Sequence, residues 1–440
     1  MGVTDFIHEL RWSDLPDEVR RYARACLLDT VGAGLGGRST ELSRIIFNFA
    51  ASAFGGRGAH LWLDGREVSP PGAALANGMT VDSLDIHDGY KPTKGHAGAA
   101  LVPALFASLH LNPDRTISGE EFLTTLVVGY EIALRAGMAL HATACDYHTS
   151  GAWNALGCAA IGVRWLGLGA EQTRHALGIA EYHGPRSQMM RVIEHPTMLK
   201  DGSGWGAMAG VSAALMAHGG FTGAPAITVE GAEVAHLWND LGERWHITGT
   251  YFKPYAVCYW AQAPIAGALK LKREHGLRPE AIRRVRVFTF REAVCLDWVK
   301  PTNTEEAQYS LPFPLASALM DGQLGPRQLS GEALRDAHVL SLAERVELIE
   351  DPALSARFPN ERLARVVIET TDGGVFDSGE IRPRWDTSVP ASDAELLEKF
   401  RWLAGEVLPE ARAQALERAL WECDRLPEAG QLLPLLNPPV

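Results

Sequence analysis

Three times in its N-terminal half the chain repeats one pattern: a polar loop bearing histidine or lysine runs straight into a helix of small apolar residues. The first loop lies in VDSLDIHDGYKPTKGHAGAALVP (Val81–Pro103). It packs Asp82, Asp85, His87, Asp88, Lys91, Lys94 and His96 into fifteen residues, then turns into the run AGAALVPALFASLHL. The second loop, HATACDYHTSG, holds His141, Asp146, His148 and Thr149 and feeds AWNALGCAAIGVRWLGLG. The third, EYHGPRSQMMRVIEHPTMLKDGSGWG, carries His183, Arg186, Arg191, His195, Lys200 and Asp201 and feeds AMAGVSAALMAHGG. Small side chains permit close helix approach. The repeated design therefore predicts a mainly α-helical core whose loops meet in one place, with rigid helices beneath side chains that reach.

The rest of the chain supports a helical body with an interruption. Apolar periodicity predicts helices over Asp5–Leu10, Pro16–Leu35, Glu41–Ala53, Pro71–Met79, Gly119–Gly137 and Ala170–Ala180, with Gly32–Gly37 ending the second. HLWLDGREVSPP reads as a short hairpin turning at Asp64-Gly65. The character changes near residue 250. RRVRVFTF (Arg283–Phe290) and LARVVIETT (Leu363–Thr371) read as strands, and Val375–Ile381 as a hairpin partner after the turn Asp372-Gly373-Gly374. Helices are expected between them at Leu311–Met320, Ser330–Asp336 and Val339–Val346, and one over Asp393–Cys423. The expected organisation is a large all-helical domain built from both chain ends (1–250 and 388–440) around an inserted α+β domain (251–387).

Charge and motifs exclude several functions. The net charge of −12 argues against a nucleic-acid partner, since phosphate binders carry a basic excess. The six cysteines are scattered, with no CxxC or Cys/His zinc spacing, and read as reduced, mostly buried thiols of a cytoplasmic protein. No signal peptide and no uncharged span of membrane-crossing length are expected. There is no GxxxxGK[ST], HExxH or GxSxG, and GAGLGG (Gly32–Gly37) follows a helix pattern rather than a strand, so it is not read as a nucleotide loop. What remains is a set of carboxylates, histidines and lysines. That set suits proton transfer beside a carboxylate, with lysines stabilising the enolate-like charge that develops. Asp82 reads as a turn residue, and His87 and Lys91 as solvated loop groups.

Several motifs resemble those of the MmgE/PrpD family, which includes 2-methylcitrate dehydratases, cis-aconitate decarboxylases and an iminodisuccinate epimerase. They are LLDTVGAGLGG, DSLDIHDGYKPTKGHAGAALVPALFA, YHTSGAWNALGCAAIGVRWLGL, MLKDGSGWGAMAGVSAALMAHGGFTGAPAI, YFKPYAVCYWAQAPIAGAL and AQYSLPFPLASAL, in order along nearly the whole chain. The absence of zinc spacing leads to no metal being expected, and the resemblance implies a helical domain with a smaller α+β lid, a homodimer, and no organic cofactor. It places Asp85, His96, His148, Lys200, Lys253 and Tyr309 in the pocket. On that basis Lys200 and Lys253, with Arg191 as a third cation, hold a small di- or tricarboxylate. His96 or His148 removes a proton, the other or Tyr309 donates one, and Asp85 orients or polarises. Dehydration is the first expectation; epimerisation and decarboxylation are near alternatives, and a non-catalytic metabolite binder is the reading from another class. The chain departs from the family at His96-Ala97-Gly98, where His-Pro-Ser is common, and at Gly89, where many members have Thr.

Overall fold

Small residues set the helix spacing, as the pattern predicts. The computed structural model describes residues 1–112 and 114–437. Its main helices are α1 (Asp17–Gly37), α2 (Pro70–Asp82), α3 (Gly98–Ser108), α4 (Gly119–Thr143), α5 (Gly151–Leu166), α6 (Ser203–His218), α7 (Tyr259–His275) and α8 (Asp393–Gly405). α6 packs against both α5 and α2. A Cβ at Gly204 would lie 2.4 Å from the Leu75 carbonyl oxygen, so α6 meets α2 backbone to backbone. By length and composition α4 is apolar enough to cross a membrane, but 94% of its apolar window is buried by neighbouring elements, as in a core helix. The glycine run Gly32–Gly37, expected to end α1, is instead its last helical turns. Added side chains there would strike Trp62 and the Thr80 carbonyl, so the run is a packing face.

The expected hairpin forms, with Ala59 opposite Val68 and His60 opposite Glu67. A four-stranded sheet lies between residues 282 and 381, in the order β2 (Val346–Glu350), β1 (Ile282–Thr289), β3 (Ala364–Thr370), β4 (Val375–Ile381). β1 pairs antiparallel with β3 (Val287 opposite Val366) and parallel with β2 (Val285 opposite Val346). Strand β2 was not expected. The helix read through Val346 ends at Ala343, and VELIE becomes an edge strand. Five residues with glutamates at 347 and 350 carry no period that separates strand from helix, and pairing with β1 decides. Ser330–Asp336 is a 3-10 turn rather than a helix. Asp393–Cys423 breaks after Gly405 and resumes as a helix over Glu410–Trp421. α7 covers β3 and β4, and α8 returns to pack on α1.

Candidate active site

The three polar loops do meet, and Ser150 ties them. Its Oγ accepts from the His96 backbone N–H (3.0 Å) and donates to Asp201 Oδ2 (2.6 Å), joining residues of the first, second and third loops. The Gly151 N–H donates to the Asp201 carbonyl and the Asn154 side chain to the His96 carbonyl. Asp85, Lys94 and Lys200 are three of five described non-glycine residues with positive φ. Such strain persists where surrounding contacts over-determine a backbone, and it gathers at functional sites.

Lys253 is delivered from the far side of the fold. Gly89 and Tyr251 exchange backbone hydrogen bonds (3.0 and 2.8 Å), which seats the segment two residues before Lys253 beside the first loop. Lys253 Nζ then meets Asp85 Oδ1 at 2.5 Å and the Asp85 carbonyl at 2.6 Å, fully buried. A Cβ at position 89 would lie 2.4 Å from the Tyr251 ring, which gives Gly89 its physical reason. At Gly98 an added Cβ would meet Thr30, Tyr130 and Asp88 side chains within 2.9 Å, so those groups fill the space that the other departure vacates.

The orientation of His96 is chemically specific. Its Nδ1 lies 2.5 Å from the Asp88 carbonyl, which can only accept, so the proton sits on Nδ1 and Nε2 keeps its lone pair. Nε2 faces Asp85 Oδ1 at 3.8 Å and Asp201 Oδ2 at 3.9 Å. Burial, then the charges of Lys253 and His87, lowers the imidazole to about 3. Burial works to raise Asp85, but Lys253, His96 and Lys200 outweigh it and hold that carboxyl well below the usual range. Burial and the charge of Asp82 push Asp201 up. Burial brings Asp88, held by Tyr130 (2.7 Å) and the Gly98 N–H, to about 6.

A small cavity of about 40 Å³ opens among these groups. Asp85, Lys94, His96, Tyr147, Met189 and Ile193 line it from before residue 251. Tyr251, Cys258, Tyr259, Trp260, Tyr309 and Arg362 line it from after. Tyr309 is buried, with the Lys200 ammonium 5.0 Å from its ring centroid. Burial and the charges of Asp85 and Asp201 push its phenol well up, so it keeps its proton. Lys200, 1% exposed, hydrogen-bonds the neutral Gln308 amide. A larger groove of about 850 Å³ lies elsewhere, near Tyr255, Trp385 and Trp402, and contains no histidine or paired aspartate.

The structure thus brings Asp85, His96 and Tyr309 to the cavity wall, with Lys253 buried against Asp85 and Lys200 against Tyr309 behind it. It does not bring His148 or Arg191 to the cavity. His148 is half-buried on the neighbouring loop, its Nδ1 on the Asp146 carbonyl at 2.8 Å, and Arg191 is exposed. Two expectations are corrected. His87, read as solvated, is fully buried, with Nε2 3.1 Å from Asp82 and its ring edge-on to His96 at 4.6 Å. Lys91 pairs with Asp386 at 2.5 Å. Sequence reasoning gave no role to Ser150, Asp201, Tyr147, Tyr251, Tyr259 or Arg362. The serine and aspartate sit within the polar loops and were open to notice, whereas Arg362 stands far from all three.

Three ligand atoms, one each from Asp85, His87 and His96, lie within 4.8 Å of one another. His87 and Asp85 already face Asp82 and Lys253, so the donor set is committed to protein partners and does not fit a resident metal.

Residues 2–236 match the MmgE/PrpD N-terminal domain and residues 255–424 the MmgE/PrpD C-terminal domain. The chain belongs to the MmgE/PrpD family. Its relatives within that family are enzymes. It is 25% identical to a cis-aconitate decarboxylase of Aspergillus terreus, over 98% of this chain and 94% of that protein. It is 26% identical to the human cis-aconitate decarboxylase (98% and 93%) and 23% identical to the 2-methylcitrate dehydratase of Cupriavidus necator (94% and 93%).

Proposed function

We propose that this MmgE/PrpD member is a lyase that removes a proton from a carbon next to a carboxylate of a small di- or tricarboxylate, with elimination of water as the overall reaction. The observation that carries the reading is His96: a neutral imidazole whose free Nε2 faces a buried, cation-rich cavity. Lys200 and Lys253 hold the carboxylate next to the reacting carbon and take up the charge that develops on it. His96 Nε2 accepts the proton, and Asp85 and Asp201 stabilise the imidazolium. The electron pair forms the carbon–carbon double bond. The departing hydroxyl takes the Tyr309 proton and leaves as water, and the imidazolium proton then returns to the phenolate, directly or through solvent. Asp85 also fixes Lys253.

A cavity of about 40 Å³ is far smaller than the roughly 300 Å³ or more of a typical small-ligand pocket. Substrate entry then requires the walls to part, and in this reading residues 251–387 form the lid that does so. His148, one residue from the cavity-lining Tyr147, is the alternative to Tyr309 as proton donor, reached by the same rearrangement.

Decarboxylation is the second reading, favoured by relatives that cover 98% of the chain and are named for it. There the bond to a carboxylate carbon breaks, CO2 leaves, and Tyr309 or an imidazolium protonates the carbon left behind. Proton NMR of the protein with β-hydroxy and unsaturated polycarboxylates tests both. A new alkene from a hydroxy acid supports elimination; loss of one carboxylate from an unsaturated acid supports decarboxylation. No conversion across the panel contradicts both.

A further inference from the structure

The one buried cation that lines the cavity, among the described residues, has no counter-charge. Arg362 is 7% exposed and lines the same cavity as Asp85 and His96, its guanidinium carbon 4.9 Å from the Tyr259 ring centroid. Among the described residues it has no carboxylate within ion-pair distance and no hydrogen bond, and its Nε is buried without a partner. Other buried arginines are anchored: Arg164 holds Glu121 and the Ile7 and Leu10 carbonyls, and Arg135 holds Asp240 and the Leu237 and Arg244 carbonyls. A guanidinium nitrogen cut off from water without an acceptor is unfavourable, and an anion entering the cavity can reach the other donors of Arg362. Its fork of donors matches a carboxylate, and the ring beneath it fixes its plane.

We propose that Arg362 binds a second substrate carboxylate, remote from the carbon that loses its proton, and so selects di- and tricarboxylates over monocarboxylates. The inference rests on the carbon-acid reading above and names the substrate feature this chain requires. Because Arg362 follows residue 251 in the chain and His96 precedes it, a substrate held by both draws the two walls together.

The test uses wild type, Arg362→Met and Arg362→Lys. In kinetics with a polycarboxylate that wild type converts, Arg362→Met loses roughly 10- to 100-fold in kcat/KM, mostly through KM, and Arg362→Lys recovers part of it. The preference for polycarboxylates over monocarboxylates shrinks in step. Without ligand, Arg362→Met melts no lower than wild type, because no ion pair or hydrogen bond is lost and the Met side chain still packs on the Tyr259 ring. The unreactive propane-1,2,3-tricarboxylate raises the melting temperature of wild type and not of Arg362→Met. Unchanged KM and preference in Arg362→Met overturn the assignment, as does an equal ligand shift in both proteins. If wild type converts nothing, the carbon-acid reading fails, and the ligand-shift comparison still decides the role of Arg362.

Discussion

Two regions of this interior treat buried cations in opposite ways. Beneath the site, Lys399 of α8 gives its ammonium to Asp29 (2.6 Å) and the Ile86 carbonyl (2.7 Å), and Arg164 of α5 is saturated by Glu121 and two carbonyls. Around the cavity, Lys253 is paired with Asp85, but Lys200 has only a neutral amide and Arg362, among the described residues, has the Tyr259 ring and no hydrogen-bond or ion-pair partner. All five cations are at most 7% exposed, so the contrast is in pairing. A protein that pairs its structural cations but leaves Lys200 and Arg362 short of anions has left these two for a ligand that brings its own charge.

That contrast can be broken in several places. The largest effect belongs to His96: His96→Ala lowers turnover by roughly 1,000-fold while circular dichroism stays native, as expected for loss of a general base. Retained turnover would remove His96 from the chemistry. Lys399→Met strands Asp29 in the core and costs about 3–5 kcal/mol in denaturant unfolding, whereas Arg362→Met shows no such loss. Similar losses from both would erase the difference between the two regions. Gly98→Ala pushes a methyl against Thr30, Tyr130 and Asp88 and costs about 1–3 kcal/mol; a neutral result would mean that this wall is loose.

The smallest effect is one of pH. An unfolded histidine takes up a proton below about 6.5, but His96 in the fold resists protonation down to about 3. Its contribution to stability is therefore steady above 6.5 and falls as pH drops from 6.5 towards 3. His96→Gln flattens that part of the stability profile. In brief assays the free-enzyme kcat/KM of wild type keeps its base form well below pH 6.5, and an acid limb at an ordinary histidine value would contradict the burial argument.

Much of this was legible in the chain itself. Small-residue helices behind polar loops announced a helical core with converging loops, because Ala and Gly spacing is a local signal that packing then obeys. Asp85, His96, Lys200, Lys253 and Tyr309 could be named from motif resemblance. Strand β2 was hidden because VELIE has no distinguishing period and owes its state to β1. His87 looked solvated because nothing local shows that Asp82 and His96 close over it. Arg362 was invisible for the same reason: what matters about it is the absence of a partner, which only three dimensions reveal.

The central claim is carbon-acid chemistry at His96 within this cation-rich cavity. The most direct measurement is solvent deuterium incorporation, followed by proton NMR, into polycarboxylates incubated with wild type and His96→Gln in deuterated water. The account predicts deuterium at a carbon next to a carboxylate with wild type and none with His96→Gln. Incorporation that persists undiminished in His96→Gln, or its absence from a substrate that wild type converts by breaking a bond at that carbon, would contradict it.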